Sequence, residues 1–119
     1  MNPTVLNDGL VAIYSVVNTA PRGAIPVEML TAQPKETLRY QQRTVGVKRH
    51  YEALQAKERV DLLVRVPFRP TVSVLDVAIP TVDGQQYRIT LIQPIAGSVP
   101  AVMDLTLRRV ERDYNKKNP

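Results

Sequence analysis

The chain has 119 residues, one domain's worth, and no cysteine, which excludes a disulfide framework, a cysteine nucleophile and a cysteine-based metal site. Its 16 basic and 11 acidic residues leave a formal charge of +5, pointing to an acidic partner or to a solubilising surface. Five Tyr, one Phe and no Trp are too few for a platform that stacks single-stranded bases, and no apolar run approaches the ~20 residues of a membrane helix.

Ten prolines limit element length and predict short strands joined by tight loops. Residues 1–9 read as an irregular arm, without the cationic region or apolar core of a signal peptide. Leu10 to Val17 follows as a strand rich in β-branched residues. It is apolar on both alternating sets, so it is either buried on both faces or meets another subunit. Residues 19–35 form an extended, proline-punctuated arm. Its apolar Ile25, Val27, Met29 and Leu30 would be out of place on a solvated linker, so the segment is expected to dock onto something.

Glu36 to Thr44 alternates as a strand, and Gly46 breaks it. Val47 to Lys57 reads as a helix, with Val47, Tyr51 and Leu54 at i, i+4 and i+7 forming one apolar stripe. Val60 to Val66 alternates again, with Val60, Leu62, Val64 and Val66 inward. Leu75 to Thr81 and Gln86 to Gln93 form a hairpin around Asp83-Gly84. A loop with Gly84 left-handed sets Ile79 opposite Ile89 and Val77 opposite Leu91, and keeps all four on one face. Ala101 to Glu111 is the last strand, and residues 112–119 form a charged, flexible tail.

The predicted fold is therefore mainly β (α+β): a small antiparallel β-barrel or sandwich of about six short strands, with one short helix and a long N-terminal arm, in a single domain over residues 1–119. The expected core is Val47, Tyr51, Leu54, Leu62, Val64, Val77, Ile79, Tyr87, Ile89, Leu91, Leu105 and Leu107.

Chemistry is thinly represented. His50 is the one histidine, and none of Ser15, Ser73 and Ser98 sits in a Gly-x-Ser-x-Gly elbow. A zinc site needs three or four ligands. Asp76 with Asp104 could act as paired carboxylates, but strand-surface charge explains them equally. No glycine-rich phosphate loop is present. No catalytic, cofactor-binding or metal-ligating residue is assigned, and the chain is not expected to be an enzyme. Arg39, Arg43, Lys48 and Arg49 cluster around the strand-to-helix turn and suit phosphate or an acidic surface. Arg108, Arg109, Arg112, Lys116 and Lys117, interleaved with Glu111 and Asp113, read as a solvated end.

The stretch Arg43 to Pro67, RTVGVKRHYEALQAKERVDLLVRVP, together with VSVLDVAIPTVDGQQYRITLIQ and the closing MDLTLRRV, resembles the head–tail connector (head-closure, stopper-type) proteins of tailed bacteriophages. The resemblance covers residues 43–110. It implies a structural virion protein of the phage neck, assembled in the host cytoplasm, forming a ring of six or twelve copies without cofactor or catalysis. The partners it implies are copies of the chain, the portal or adaptor protein, the tail-terminator protein, and packaged DNA near the ring lumen. The residues expected to serve assembly are Ile25, Val27, Met29 and Leu30 on the arm, with Arg39, Arg43, Lys48 and Arg49 as an electrostatic patch. For the arm, docking over the chain's own core is the equal alternative. For the basic group, the alternative is solvated charge, or contact of a small nucleic-acid-binding module with the DNA backbone.

Overall fold

The computed structural model describes residues 6–25, 27–43 and 61–116. Eight strands lie among them: β1 (Gly9–Tyr14), β2 (Val16–Asn18), β3 (Glu28–Leu30), β4 (Glu36–Arg43), β5 (Leu62–Pro67), β6 (Val77–Pro80), β7 (Tyr87–Pro94) and β8 (Val102–Arg109). Six of them close an antiparallel barrel in the order β1-β4-β5-β8-β7-β6, and β2 pairs with β3 as a separate hairpin. The six barrel strands fall on the six expected segments. Closure leaves no free sheet edge on the barrel. The expected helix, Val47 to Lys57, lies outside the described residues, as do the core positions Val47, Tyr51 and Leu54. No described helix is long and apolar enough to cross a membrane.

Alternation on the strands fills the interior. Val11 and Ile13 of β1, Leu38 and Tyr40 of β4, Val64 and Val66 of β5, Ala78 of β6, Ile89 of β7 and Met103, Leu105 and Leu107 of β8 form one buried cluster. Val72, from the loop before β6, joins them, with Leu62, Tyr87 and Ile92 packed alongside. Apolar side chains of this size contribute roughly 1.5–3 kcal/mol each on full burial.

The outward face of β1 and β6 is apolar as well. Tyr14, Val77 and Leu30 form a second buried cluster, with Ala12, Val16, Ile79 and Tyr114 against it. The inner set of the first strand, Val11 and Ile13, is thus buried in the barrel, and on its outer face Tyr14 is buried and Ala12 half-buried within the chain, while Leu10 stays 43% exposed. The strand ends at Tyr14, because Ser15 separates β1 from β2 and turns the chain outward to the hairpin.

The β6–β7 hairpin differs from expectation in register. Val77 pairs with Arg88 and Ala78 with Tyr87, instead of Val77 with Leu91. Gly84 is left-handed as expected, at φ +67°. However, its N–H donates to the Pro80 carbonyl at 2.8 Å, so the turn takes up more residues. An odd slip exchanges the faces of a strand. Ala78 therefore points inward, while Val77 and Ile79 enter the outer cluster. Leu91 is also not in the core. A bulge between Ile89 and Leu91 shifts the β7–β8 register, leaving Leu91 exposed and bringing Ile92 against the core.

Candidate functional site

The proline-rich arm is an ordered hairpin, not a loop. Val16 pairs with Leu30, Val17 with Met29 and Asn18 with Glu28. The Asn18 side-chain oxygen accepts from the N–H groups of Ala20 at 3.0 Å and Val27 at 3.1 Å. The Thr19 N–H donates to the Val27 carbonyl at 2.8 Å, which closes the neck of the tip. Pro21 to Ala24 turns with Gly23 at φ +87°, a conformation that favours glycine.

This geometry divides the four apolar arm residues. Leu30 is fully buried in the outer cluster and docks on its own domain. Met29 is half-buried. Val27 is 50% exposed and Ile25 86% exposed, both at the tip. The arm therefore has an anchor and a free apolar end.

Of the basic group, Arg39 and Arg43 stand exposed on the outward face of β4, roughly 13 Å apart at strand spacing. Lys48 and Arg49 lie outside the described residues. Arg39 and Arg43 share no ion pair among the described residues, whereas four other basic side chains do: Lys35 with Asp76, Arg65 with Asp104, Arg69 with Glu36 and Arg109 with Asp113. Asp76 and Asp104, weighed above as paired carboxylates, are thus each matched to a cation. Asp76 also accepts from the Ser73 N–H at 2.7 Å and closes a turn.

Acidic groups gather at the loop tips beside Gly9. Burial, then Asp83 and Asp8, raises the Tyr40 pKa. Burial and the hydrogen bond donated to Asp83, 2.9 Å long, raise that of Tyr87. A phenol held neutral in the fold adds stability that is whole below its unfolded value near 10 and is lost as pH rises through the folded value. Alkaline titration by tyrosinate absorbance should show Tyr40 and Tyr87 ionising above the ordinary phenol range. Tyr40→Phe and Tyr87→Phe should each remove part of that late fraction. Ionisation of both in the ordinary range would contradict the placement.

The C-terminal segment expected to fray is docked through residue 116. Gln86 clasps Tyr114 by two bonds, donating to its carbonyl at 2.9 Å and accepting from its N–H at 2.8 Å. The Leu30 N–H donates to the Asn115 carbonyl at 2.8 Å, and Leu30 bridges Lys116. The Lys116 ammonium lies 4.8 Å from the Tyr14 ring centroid. The arm anchor, the barrel's outer face and this strap meet at Leu30. Alternating Arg and Glu or Asp in the tail hid the strap in the sequence. Its one large apolar residue, Tyr114, was the available signal.

The strap also borders a groove of about 490 Å³ that sequence reading missed. Arg88, Arg108, Arg109 and Arg112 line it, with Leu75 and Tyr114. Two of these arginines are tied down by neighbours. Arg109 donates to the Gln86 and Val110 carbonyls, the Gln85 side chain and Asp113. Arg88 donates to the Tyr114 hydroxyl. Compared with known proteins, no family model and no curated sequence matches the chain.

Proposed function

We propose that this chain is a structural protein of a tailed-phage virion, forming a ring in the head–tail connector that closes the DNA-filled capsid and docks the tail. The observation that carries the reading is the arm. A buried leucine anchors it to a closed barrel, and the hairpin's hydrogen bonds hold Ile25, 86% exposed, at its tip. A monomer gains nothing from an ordered stalk that holds a large aliphatic side chain in water. A neighbour that buries Ile25 gains roughly 1.5–3 kcal/mol per contact, repeated at every interface of a ring. The barrel has no open edge, so the exposed side chains of the arm are a more natural joint than strand addition between barrels. The likeness of residues 43–110 to connector proteins supports the same reading, and no enzymatic role is proposed.

Negative-stain microscopy of the full chain at raised concentration tests it. Closed rings are expected, and a particle that stays monomeric at every concentration contradicts ring formation. Ile25→Ser should leave the unfolding free energy of the monomer within about 0.5 kcal/mol of wild type, yet abolish the rings. A variant that unfolds early, or that still forms rings, would remove the tip from the interface.

A second reading, a module that contacts the DNA backbone, is favoured by the exposed, outward Arg39 and Arg43, which share no ion pair among the described residues. It requires DNA affinity that falls steeply with salt and weakens in Arg39→Ala/Arg43→Ala. No retardation of DNA at low salt would eliminate it.

A further inference from the structure

We propose that the arginine groove between the β7–β8 outer face and the C-terminal strap binds an acidic peptide segment of a partner protein. The inference goes beyond ring formation and does not depend on it. Three features that each cost stability converge in this groove. Arg88 and Arg108 are direct cross-strand partners, a like-charge arrangement that destabilises a sheet. The Nε of Arg88 is buried without a hydrogen-bond partner, which leaves a charged donor unsatisfied. Leu75 holds φ +78°, a left-handed conformation unfavourable for a leucine, and is 60% exposed at the groove wall. An anion at this place would relieve the first cost directly, since it would lie between Arg88 and Arg108, neither of which has an ion-pair partner among the described residues.

The available charge suits a carboxylate. Arg108 and Arg112 are exposed and form no ion pair among the described residues, whereas Arg109 is saturated by its own neighbours. Arginine forks match a planar oxyanion with two parallel bonds. Glu111, the one acid on the lining, still leaves it strongly positive. Size and polarity separate peptide from nucleic acid. A groove of about 490 Å³ has the scale of a small ligand or a few side chains, whereas duplex DNA needs an open track of phosphate contacts. Leu75, Val110 and Tyr114 supply apolar wall beside the arginines. The segment that fits therefore places an aliphatic side chain next to glutamate or aspartate.

Fluorescence anisotropy with a labelled Glu-Glu-Leu-Glu-Glu-Leu peptide, titrated with the full chain at low salt, tests this. Saturable binding is expected. Arg108→Ala/Arg112→Ala should weaken it about tenfold or more, and Arg39→Ala, on a distant strand, should leave it within about twofold. Absence of saturable binding, or an equal loss in Arg39→Ala, would overturn the site. A duplex oligonucleotide that binds more tightly than the peptide, and loses that affinity in the same double variant, would overturn the peptide in favour of nucleic acid. Circular dichroism of each variant must match wild type. If the double variant unfolds, Arg108→Lys/Arg112→Lys, which keeps charge but removes the planar fork, should still weaken the peptide by several fold, and unchanged affinity there would overturn the proposal.

Discussion

Leu30→Ala should lower the unfolding free energy by about 3 kcal/mol, read from urea denaturation at unchanged slope. Leu30 has no exposed surface and packs with Tyr14 and Val77. Its backbone also ties the arm to the strap through Asn115 and Lys116. Truncation opens a cavity where three segments meet, so the loss should lie toward the middle of the range for buried leucines. A local consequence should accompany it. Amide exchange at Val16–Asn18 and Glu28–Leu30 should speed up more than exchange in β5 and β8, because the β2–β3 hairpin relies on this anchor. A change below about 1 kcal/mol would mean that Leu30 is not an anchor.

The second large effect concerns Arg65 and Asp104. They lie opposite each other on β5 and β8, and two bonds, of 2.7 and 3.1 Å, join guanidinium to carboxylate. Their side chains are only 17% and 10% exposed. The hydrogen bond to Asp104 raises the Arg65 pKa further, against the opposing effect of burial. Asp104→Leu alone should cost about 2–3 kcal/mol, since it strands a half-buried cation; combining it with Arg65→Met should recover most of that loss. Thermal or urea unfolding of the two single variants and the double variant closes the cycle. Additive losses would mean that the two side chains act independently.

These effects show what could be read from the sequence. All six barrel strands were legible because alternation and proline punctuation mark them. In β5 and β8, alternating Leu62, Val64 and Val66, and Met103, Leu105 and Leu107, gave the inward face correctly. Register was legible only where one face is polar. Val77, Ala78 and Ile79 are apolar in succession, so either face of β6 could turn inward, and the turn at Pro80–Gly84 decided it. Ile25, Val27, Met29 and Leu30 marked the arm as a docking segment, but nothing marked it as a hairpin, and only Leu30 of the four is fully buried. The strands of the hairpin have three residues each, too short for a periodic signal. The arginine groove was illegible for another reason. Arg88 and Arg108 are 20 positions apart and meet only through the β7–β8 ladder.

The outcome narrows the assembly account. At the sequence level, the apolar second face of the first strand had to be covered, either within the chain or by another subunit. In the fold, Leu30 and Tyr114 pack against Ala12, Tyr14 and Val16 of that face from within the chain, and Leu10 at its start stays exposed. The surfaces proposed for partners are the arm tip with Ile25 and Val27 and the charged groove beside the strap; Val82 and Val99, on loops of the barrel, are exposed as well. Leu30 anchors the arm directly and bonds the strap that borders the groove.

Sedimentation velocity over a wide concentration range, comparing wild type with Ile25→Ser/Val27→Ser, is the most direct check that the arm tip joins one copy to another. The account predicts a wild-type boundary that moves toward a single large closed species as concentration rises, with the double variant fixed at the monomer value. Superimposable profiles for the two proteins at every concentration would contradict it.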